Sequence, residues 1–376
     1  MSKPKVIIDS AIRVTTQLGA LPIDLIPIAG GDISNESLRG AKALLTRTVT
    51  RVDERLLANT GIQFVGTASA GTDHIDLNYL AASTIQFASA AGCNASAVGD
   101  YVLAAITLCG RLEAVLAGAE VGLVGYGHVG RALAKRLVGL GATVKVYDPW
   151  LDDFASDIAP CALEEVLACE VVSLHAALND TPPFPSHHMV DMSEVAMVRE
   201  DALFINAGRG ALMTARAAER LLERDVDVVF DTWPEEPRVP LALLDGVRFG
   251  TPHIAGYSEA SKNNATDFLI PSLVDALKLE CSKLADNPLN VIAETPIKLT
   301  NDLESLSLLL CNIGRLEQDD KRFRSAWAED QSPQTFELQR RQYRMRAQLQ
   351  GLSVSVKHAA TPRLAGWLKD LGVLLV

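Results

Sequence analysis

From Val121 to Asp148 the chain passes through an apolar β-type run, a glycine-rich turn, a helical pattern, a second β-type run and an acid. Few folds accept that order. The turn, Gly122-Leu-Val-Gly-Tyr-Gly-His-Val-Gly130, carries the G-x-G-x-x-G spacing in Gly125, Gly127 and Gly130. Val129, Leu133, Leu137 and Leu140 then recur at helical spacing. Gly125 permits a tight turn, Gly127 lets a main chain approach a pyrophosphate, and Gly130 lets helix and strand pack closely. The helix start, with His128 and Val129, offers free N–H groups and the positive end of a helix dipole to phosphates. Asp148 follows Gly130 by eighteen residues, at the end of the next strand. A carboxylate there accepts hydrogen bonds from ribose hydroxyls and repels a 2′-phosphate, so the expected cofactor is NAD rather than NADP.

The same alternation runs on either side. Val6–Asp9, Asp24–Ile28, Ala43–Thr46, Phe64–Gly66 and Ile85–Ala88 read as strands, with helical pieces at Asp53–Asn59 and Ile75–Ala82 between them. A long helical pattern at Asn94–Leu112 leads into the second series, whose strands are Val121–Val124, Thr143–Tyr147, Val171–Leu174, Ala202–Asn206, Asp227–Phe230 and Val247–Gly250. Repeated β-α units imply parallel, doubly wound sheets. Tyr257–Leu284 is again helical in pattern, with Pro271 an expected kink, and would return the chain to the first domain. The last stretch differs. Leu299–Leu316 is leucine-rich, Phe336–Leu349 carries Arg340, Arg341, Arg344 and Arg346, and Leu352–Val356 and Gly372–Val376 read as strands around a helix at Pro362–Leu371. Arg340 and Arg344 would share one helix face, and the leucine face suggests pairing with a second chain.

With 376 residues, more than one domain is expected. The α/β fold class is two Rossmann-like doubly wound parallel-sheet domains with a small α/β C-terminal dimerisation domain. The boundaries read as a discontinuous catalytic domain (1–98 plus 256–286), an NAD-binding domain (99–255) and a C-terminal domain (287–376). The formal charge of −11 disfavours nucleic acid and anionic membranes as partners. MSKPKVIIDS lacks the apolar core of a signal peptide, and no run of 18 apolar residues occurs, so a cytoplasmic protein is expected. The six cysteines are scattered without a C-x-x-C pair, which suits reduced thiols and gives no metal site. Cys93, in a Gly-Cys-Asn turn, reads as a small turn residue with no base beside it.

Three polar residues follow three successive strands: Arg209 in INAGRG, Glu236 in DTWPEEP and His253 in GTPHIAG. In an open parallel sheet those strand ends border the ligand crevice. Each residue alone would be unremarkable, as a surface arginine, one acid in an acidic turn, or a capping histidine. Beside a nucleotide fold the three together suit redox chemistry between a 2-hydroxy acid and its 2-oxo acid. Arg209 has the rigid fork for a carboxylate, His253 can take the hydroxyl proton, and Glu236 can hold the other imidazole nitrogen and stabilise the imidazolium.

Asp231-x-Trp-x-x-Glu-Pro237, Asn206-Ala-Gly-Arg-Gly210, Thr251-Pro-His-Ile-Ala-Gly256 and Gly71-Thr-Asp-His-Ile-Asp76 resemble motifs of the D-isomer-specific 2-hydroxyacid dehydrogenases. Arg47-Thr-Val-Thr50, Phe64–His74, Gly92-Cys-Asn-Ala95 and the tail resemble one branch of that family, which implies a small phosphorylated hydroxy acid as substrate and a homodimer formed through the C-terminal domain. The resemblance implies active-site roles for Arg209, Glu236 and His253 and substrate contacts from Thr48, Ser69 and Tyr257. It also implies NAD contacts from Asp148, Ala176, Asp231 and Gly256. Ala176 stands where the family usually has Thr, Leu174–Asn179 lacks the usual His-x-Pro-Leu pattern, and Asp100 replaces a usual Glu. The alternatives are another oxidoreductase of the same family, or an NAD-sensing binding protein resembling its corepressors.

Overall fold

The computed structural model describes residues 3–280, 301–354 and 361–376. The expected boundary at 286/287, Cys281, and parts of the expected elements at 281–284, 299–300 and 355–356 lie outside them. The described residues fall into two compact units. One holds the chain up to Asn94 and from Glu259 to 280; the other holds Ala95–Ser258 and the described residues from 301 on. The C-terminal segment, expected as a domain of its own, is thus part of the same unit as the nucleotide fold.

In the first unit, β1 (Lys5–Asp9), β2 (Asp24–Ile28), β3 (Ala43–Thr46), β4 (Phe64–Thr67) and β5 (Gln86–Ser89) form a parallel sheet ordered β2-β1-β3-β4-β5. Alternation along the strands supplies both faces. Val6, Ile8, Ala43, Leu45 and Phe64 pack on Leu269, Ile270 and Leu273. Ile7, Leu44 and Val65 pack on Leu38, Leu56, Leu57 and Leu80. Tyr257–Leu284, expected as one kinked helix, contains two, Glu259–Asp267 and Ile270–Leu277, and Pro271 lies in the first turn of the second. There proline costs no hydrogen bond, because its missing N–H would have had no intrahelical partner.

The second unit is built on β6 (Glu120–Val124), β7 (Thr143–Tyr147), β8 (Ala159–Pro160), β9 (Val171–Leu174), β10 (Leu203–Asn206), β11 (Asp227–Phe230) and β12 (Phe249–Gly250). All are parallel, in the order β12-β11-β10-β9-β6-β7-β8. The order reverses between β6 and β9, which is where an open α/β sheet forms its crevice. The helix after β6, His128–Leu140, ends on Gly141 at φ +104°, a left-handed cap that glycine adopts without penalty. The helix expected over Asn94–Leu112 stops at Leu108, and Gly110 at φ +72° turns the chain into a second helix, Leu112–Leu116.

The C-terminal segment contributes helices Asp302–Gly314, Leu316–Glu329, Pro333–Arg341 and Pro362–Asp370, with β13 (Ser353–Val354) and β14 (Leu374–Leu375) as a parallel pair. Leu306, Leu309, Leu310 and Ile313 are buried in one core with Val98, Val102, Ala105 and Leu137. Contact is close enough that a Cβ on Gly314 would sit 2.2 Å from Cβ of Ala104. The leucine face from which a second chain was expected is therefore covered within its own chain. The arginine reading also needs correction. The helix ends at Arg341, so Arg344 lies beyond it and shares no helix face with Arg340. Beyond the helix the chain turns inward, burying Tyr343 and Arg346.

Candidate active site

The dinucleotide loop joins β6 to helix His128–Leu140. Gly125 has φ +97°, and a Cβ there would lie 2.5 Å from the Ala176 amide nitrogen. A Cβ on Gly130 would meet the Gly125 carbonyl at 2.2 Å, whereas around Gly127 the space is open. Gly127 and His128 are exposed, and no side chain caps the helix start, so its first N–H groups point to whatever lies outside. Asp148 follows β7 beside this loop, taking the Tyr126 N–H at 2.8 Å and the Trp150 N–H at 3.2 Å. A turn open at its middle glycine, a helix start without a cap and a half-buried carboxylate held by main-chain donors fit a dinucleotide with free ribose hydroxyls.

His175 and Ala176 follow β9 across the reversal of strand order. His175 is half-buried, its Nε2 lies 2.9 Å from Ser173 Oγ, and desolvation pushes its pKa down to about 4. A Cβ on Gly208 would lie 2.8 Å from the Leu174 carbonyl, so the loop bearing Arg209 packs directly on this strand end.

Arg209, Glu236 and His253 stand on loops that leave the adjacent strands β10, β11 and β12. The loops are tied together by buried polar groups. Asn206 Oδ1 accepts from Thr232 Oγ1 at 3.0 Å, and the Asn206 side chain donates to the Arg209 carbonyl at 3.1 Å. A Cβ on Gly210 would fall 1.7 Å from the Trp233 carbonyl. Trp233, wholly buried, donates its indole N–H to the Thr251 carbonyl at 2.9 Å. Arg209 is half-buried with Nη1 on the Gly208 carbonyl at 3.0 Å. His253 Nδ1 meets Glu236 Oε1 at 2.7 Å, while Glu236 Oε2 accepts the Trp233 N–H at 3.2 Å. Burial pushes the Glu236 carboxyl up. The charge and hydrogen bond of His253, the Trp233 N–H and the Arg340 charge outweigh it and hold the carboxyl below its usual value. Glu236 is thus an anion, and with Nδ1 taken the nitrogen left for a reacting proton is Nε2.

Asp231, expected to contact NAD, has its side chain engaged within the fold. Its side chain is 1% exposed and accepts from Thr251 Oγ1 at 2.6 Å, Ile254 N at 2.7 Å and Ala255 N at 2.9 Å. Its carboxylate is committed to shaping the histidine loop. Gly256 and Tyr257 follow that loop. The Tyr257 ring lies 6.0 Å from the Tyr343 ring, with the Arg340 guanidinium 6.0 Å from its centre. Thr48 and Ser69 belong to the first unit. Thr48 lies in an exposed turn after β3 and Ser69 is half-buried after β4. Nearby, Arg47 is held by the buried Asp9 at 2.9 Å. Cys93 is buried and its thiol pushed up to about 12 by that burial, which leaves it a turn residue rather than a nucleophile. Asp100 is buried against Arg136 at 2.7 Å and accepts the Leu349 N–H at 2.9 Å, so it joins the C-terminal segment to its own unit. Sequence reasoning missed Tyr101, whose hydroxyl meets Thr251 Oγ1 at 2.8 Å, and it named Arg346 only as one of the tail's arginines, without its bond to Tyr343. The arginine-rich run was visible, but its inward turn had no sequence signal. Among the described residues no group of His, Cys, Asp and Glu could hold a metal. Among them no helix is long and apolar enough to cross a membrane.

A glycine loop on β6, with an arginine, a glutamate–histidine pair and their connecting loops on β10–β12, defines a class. Residues 109–255 match the D-isomer specific 2-hydroxyacid dehydrogenase, NAD binding domain. The chain is 34% identical to the erythronate-4-phosphate dehydrogenase of Teredinibacter turnerae, over 91% of this chain and 92% of the relative. It is 36% identical to that of Pseudomonas putida, over 92% and 93%. It is also similar in fold to the NAD+-bound 3-phosphoglycerate dehydrogenase of Entamoeba histolytica, with a TM-score of 0.62 at 19% identity, covering 76% of this chain and 99% of that one. The chain belongs to the erythronate-4-phosphate dehydrogenases within the D-isomer-specific 2-hydroxyacid dehydrogenase family.

Folded His175 stays neutral until about pH 4, whereas in the unfolded chain it takes a proton near pH 6.5. Its contribution to stability is complete above pH 6.5 and is lost as the pH falls toward 4. At pH 5.5 the loss is about 1 kcal/mol. Urea unfolding at pH 7.5 and 5.5 should show that difference shrinking in His175→Asn; an unchanged difference would count against it. For Asp148, titration should give tighter binding of NADH than of NADPH, with Asp148→Ala narrowing the gap. Tighter NADPH binding by the parent chain would defeat the reading.

Proposed function

We propose that this protein catalyses the NAD-dependent oxidation of 4-phospho-D-erythronate to (R)-3-hydroxy-2-oxo-4-phosphooxybutanoate, a step that family resemblance places in pyridoxal 5′-phosphate biosynthesis. The observation that carries the chemistry is the 2.7 Å contact of His253 Nδ1 with Glu236 beside the loop of Arg209. The names of the relatives support the choice of substrate. When bound, oxidised NAD accepts a hydride from C2 of the hydroxy acid. Arg209 holds the substrate carboxylate through its planar fork. Nε2 of His253 takes the hydroxyl proton while the oxygen's electrons close the C2 carbonyl, and the hydride leaves with the C–H pair. Glu236 keeps the Nδ1 proton in place and faces the imidazolium with a full negative charge. Thr48, Ser69 and Tyr257 are proposed substrate contacts. The loop Gly125–Gly130, Asp148, the main chain at Ala176, Asp231 and Gly256 are proposed to serve NAD.

His253→Ala should lower kcat by about a hundred- to ten-thousand-fold with NADH affinity kept. Glu236→Gln should move the acid limb of the kcat profile to lower pH, because the charge that stabilises the imidazolium is gone. An unmoved limb would refute the coupling. Pairing of two chains through the C-terminal segment belongs to the same proposal. Its support is the exposed apolar end of the chain, Leu374, Leu375 and Val376. Light scattering should return twice the mass of 40.4 kDa; a single-chain mass at micromolar concentration would remove it.

A further inference from the structure

His253 sits at φ +56°. A non-glycine residue stays in that left-handed region when its surroundings over-determine it. One part of those surroundings is Asp231. Its carbonyl accepts the His253 N–H at 2.7 Å, and its carboxylate takes the N–H groups of Ile254 and Ala255. The carbonyls of these same two residues are held from the other side by Arg346. Nη1 donates to the Ile254 carbonyl at 3.2 Å, and Nη2 donates to the Ala255 carbonyl. Nη2 also donates to the Ala97 carbonyl at 2.9 Å, at the start of the helix Ala95–Leu108. Nη1 reaches the Tyr343 hydroxyl at 3.4 Å, and that hydroxyl donates to the buried Asp319 at 2.6 Å.

Arg346 is 2% exposed. A buried guanidinium is costly to desolvate unless its donors are satisfied, and a neutral side chain would cover the same surface without that cost. The rigid fork gives something a neutral side chain cannot, two fixed donors for two successive carbonyls. We propose that Arg346 is a positioning residue for His253, fixing from the carbonyl side the Ile254–Ala255 peptides that Asp231 fixes from the amide side. The proposal rests on His253 being the proton carrier proposed above. Placement matters at this scale, since a displacement of about 1 Å can cost about a hundredfold in rate.

The test uses full-length Arg346→Met and Arg346→Lys with His253→Ala alongside. It measures kcat and KM for 4-phospho-D-erythronate, the pH profile of kcat, and NADH binding by fluorescence. Arg346→Met should lose about ten- to a hundredfold in kcat, with a shifted pH profile and NADH affinity near the parent's, and Arg346→Lys should recover part of the loss. A folded Arg346→Met with parental kcat and pH profile overturns the proposal. So does a loss of kcat matched by loss of NADH binding with the profile unmoved, because that is a merely structural role. Should Arg346→Met fail to fold, Arg346→Lys decides by the same readouts, since it keeps the buried charge and removes the fork. Full activity of His253→Ala would bring down the reading of the site together with the proposal. An inactive His253→Ala beside parental Arg346 variants would bring down the proposal alone.

Discussion

The buried carboxylate of Asp231 is the interaction on which the rest of the site depends. It follows β11 directly and collects three donors from the segment after β12, a hydroxyl and two peptide N–H groups. Burial pushes this carboxyl up, and the same three hydrogen bonds with the His253 charge oppose that push. Each of those donors, left buried without an acceptor, would cost about 1–3 kcal/mol. The ends of two neighbouring strands therefore cannot separate without losing several such bonds at once. The imidazole of His253 is aimed at Glu236 because the peptides on either side of it have no freedom to turn.

The strands were legible in the sequence because a parallel sheet covered on both faces reads as short apolar runs closed by polar or glycine residues. Val171–Leu174 and Asp227–Phe230 were read at their observed bounds for that reason. The placing of Arg209, Glu236 and His253 beyond successive strands was legible for the same reason, since strand ends and parallel pairing follow from β-α alternation. What the sequence left open was the partner of each apolar face. The spacing of Leu306, Leu309, Leu310 and Ile313 says that a face must be covered. It does not say that the cover is Val98 and Val102, some two hundred residues earlier. The same gap hid the role of Asp231, whose three partners lie twenty or more residues ahead of it. Arg344 was misplaced because the helix preceding it closes at Arg341, and residues 342–350 contain no glycine or proline to announce the end.

The C-terminal segment bonds to its unit at several distinct points. Asp320 accepts the Gly250 N–H at 2.7 Å, at the end of β12. Arg324 donates to the carbonyls of Leu244 and Val247 at 2.6 and 3.0 Å. Trp327 donates its indole N–H to the Val239 carbonyl at 2.9 Å, and a Cβ on Gly139 would lie 2.5 Å from Cβ of Asp370. These contacts fall on the segments around β12 and on the helix after the dinucleotide loop, so the tail braces the parts of the fold that bear function.

The burial of the leucine face against Ala95–Leu108 has a consequence in time. As the chain leaves the ribosome, β12 and the histidine loop are complete by about residue 256, yet the helix that covers Val98 and Val102 begins only at Asp302. At about 5–20 residues per second, the roughly two hundred residues between Val102 and Asp302 take about 10–40 s to emerge. For that interval the face of this helix that bears Val98 and Val102 lacks the cover of Leu306, Leu309 and Leu310, and an apolar stripe waits on the last part of the polypeptide to be made.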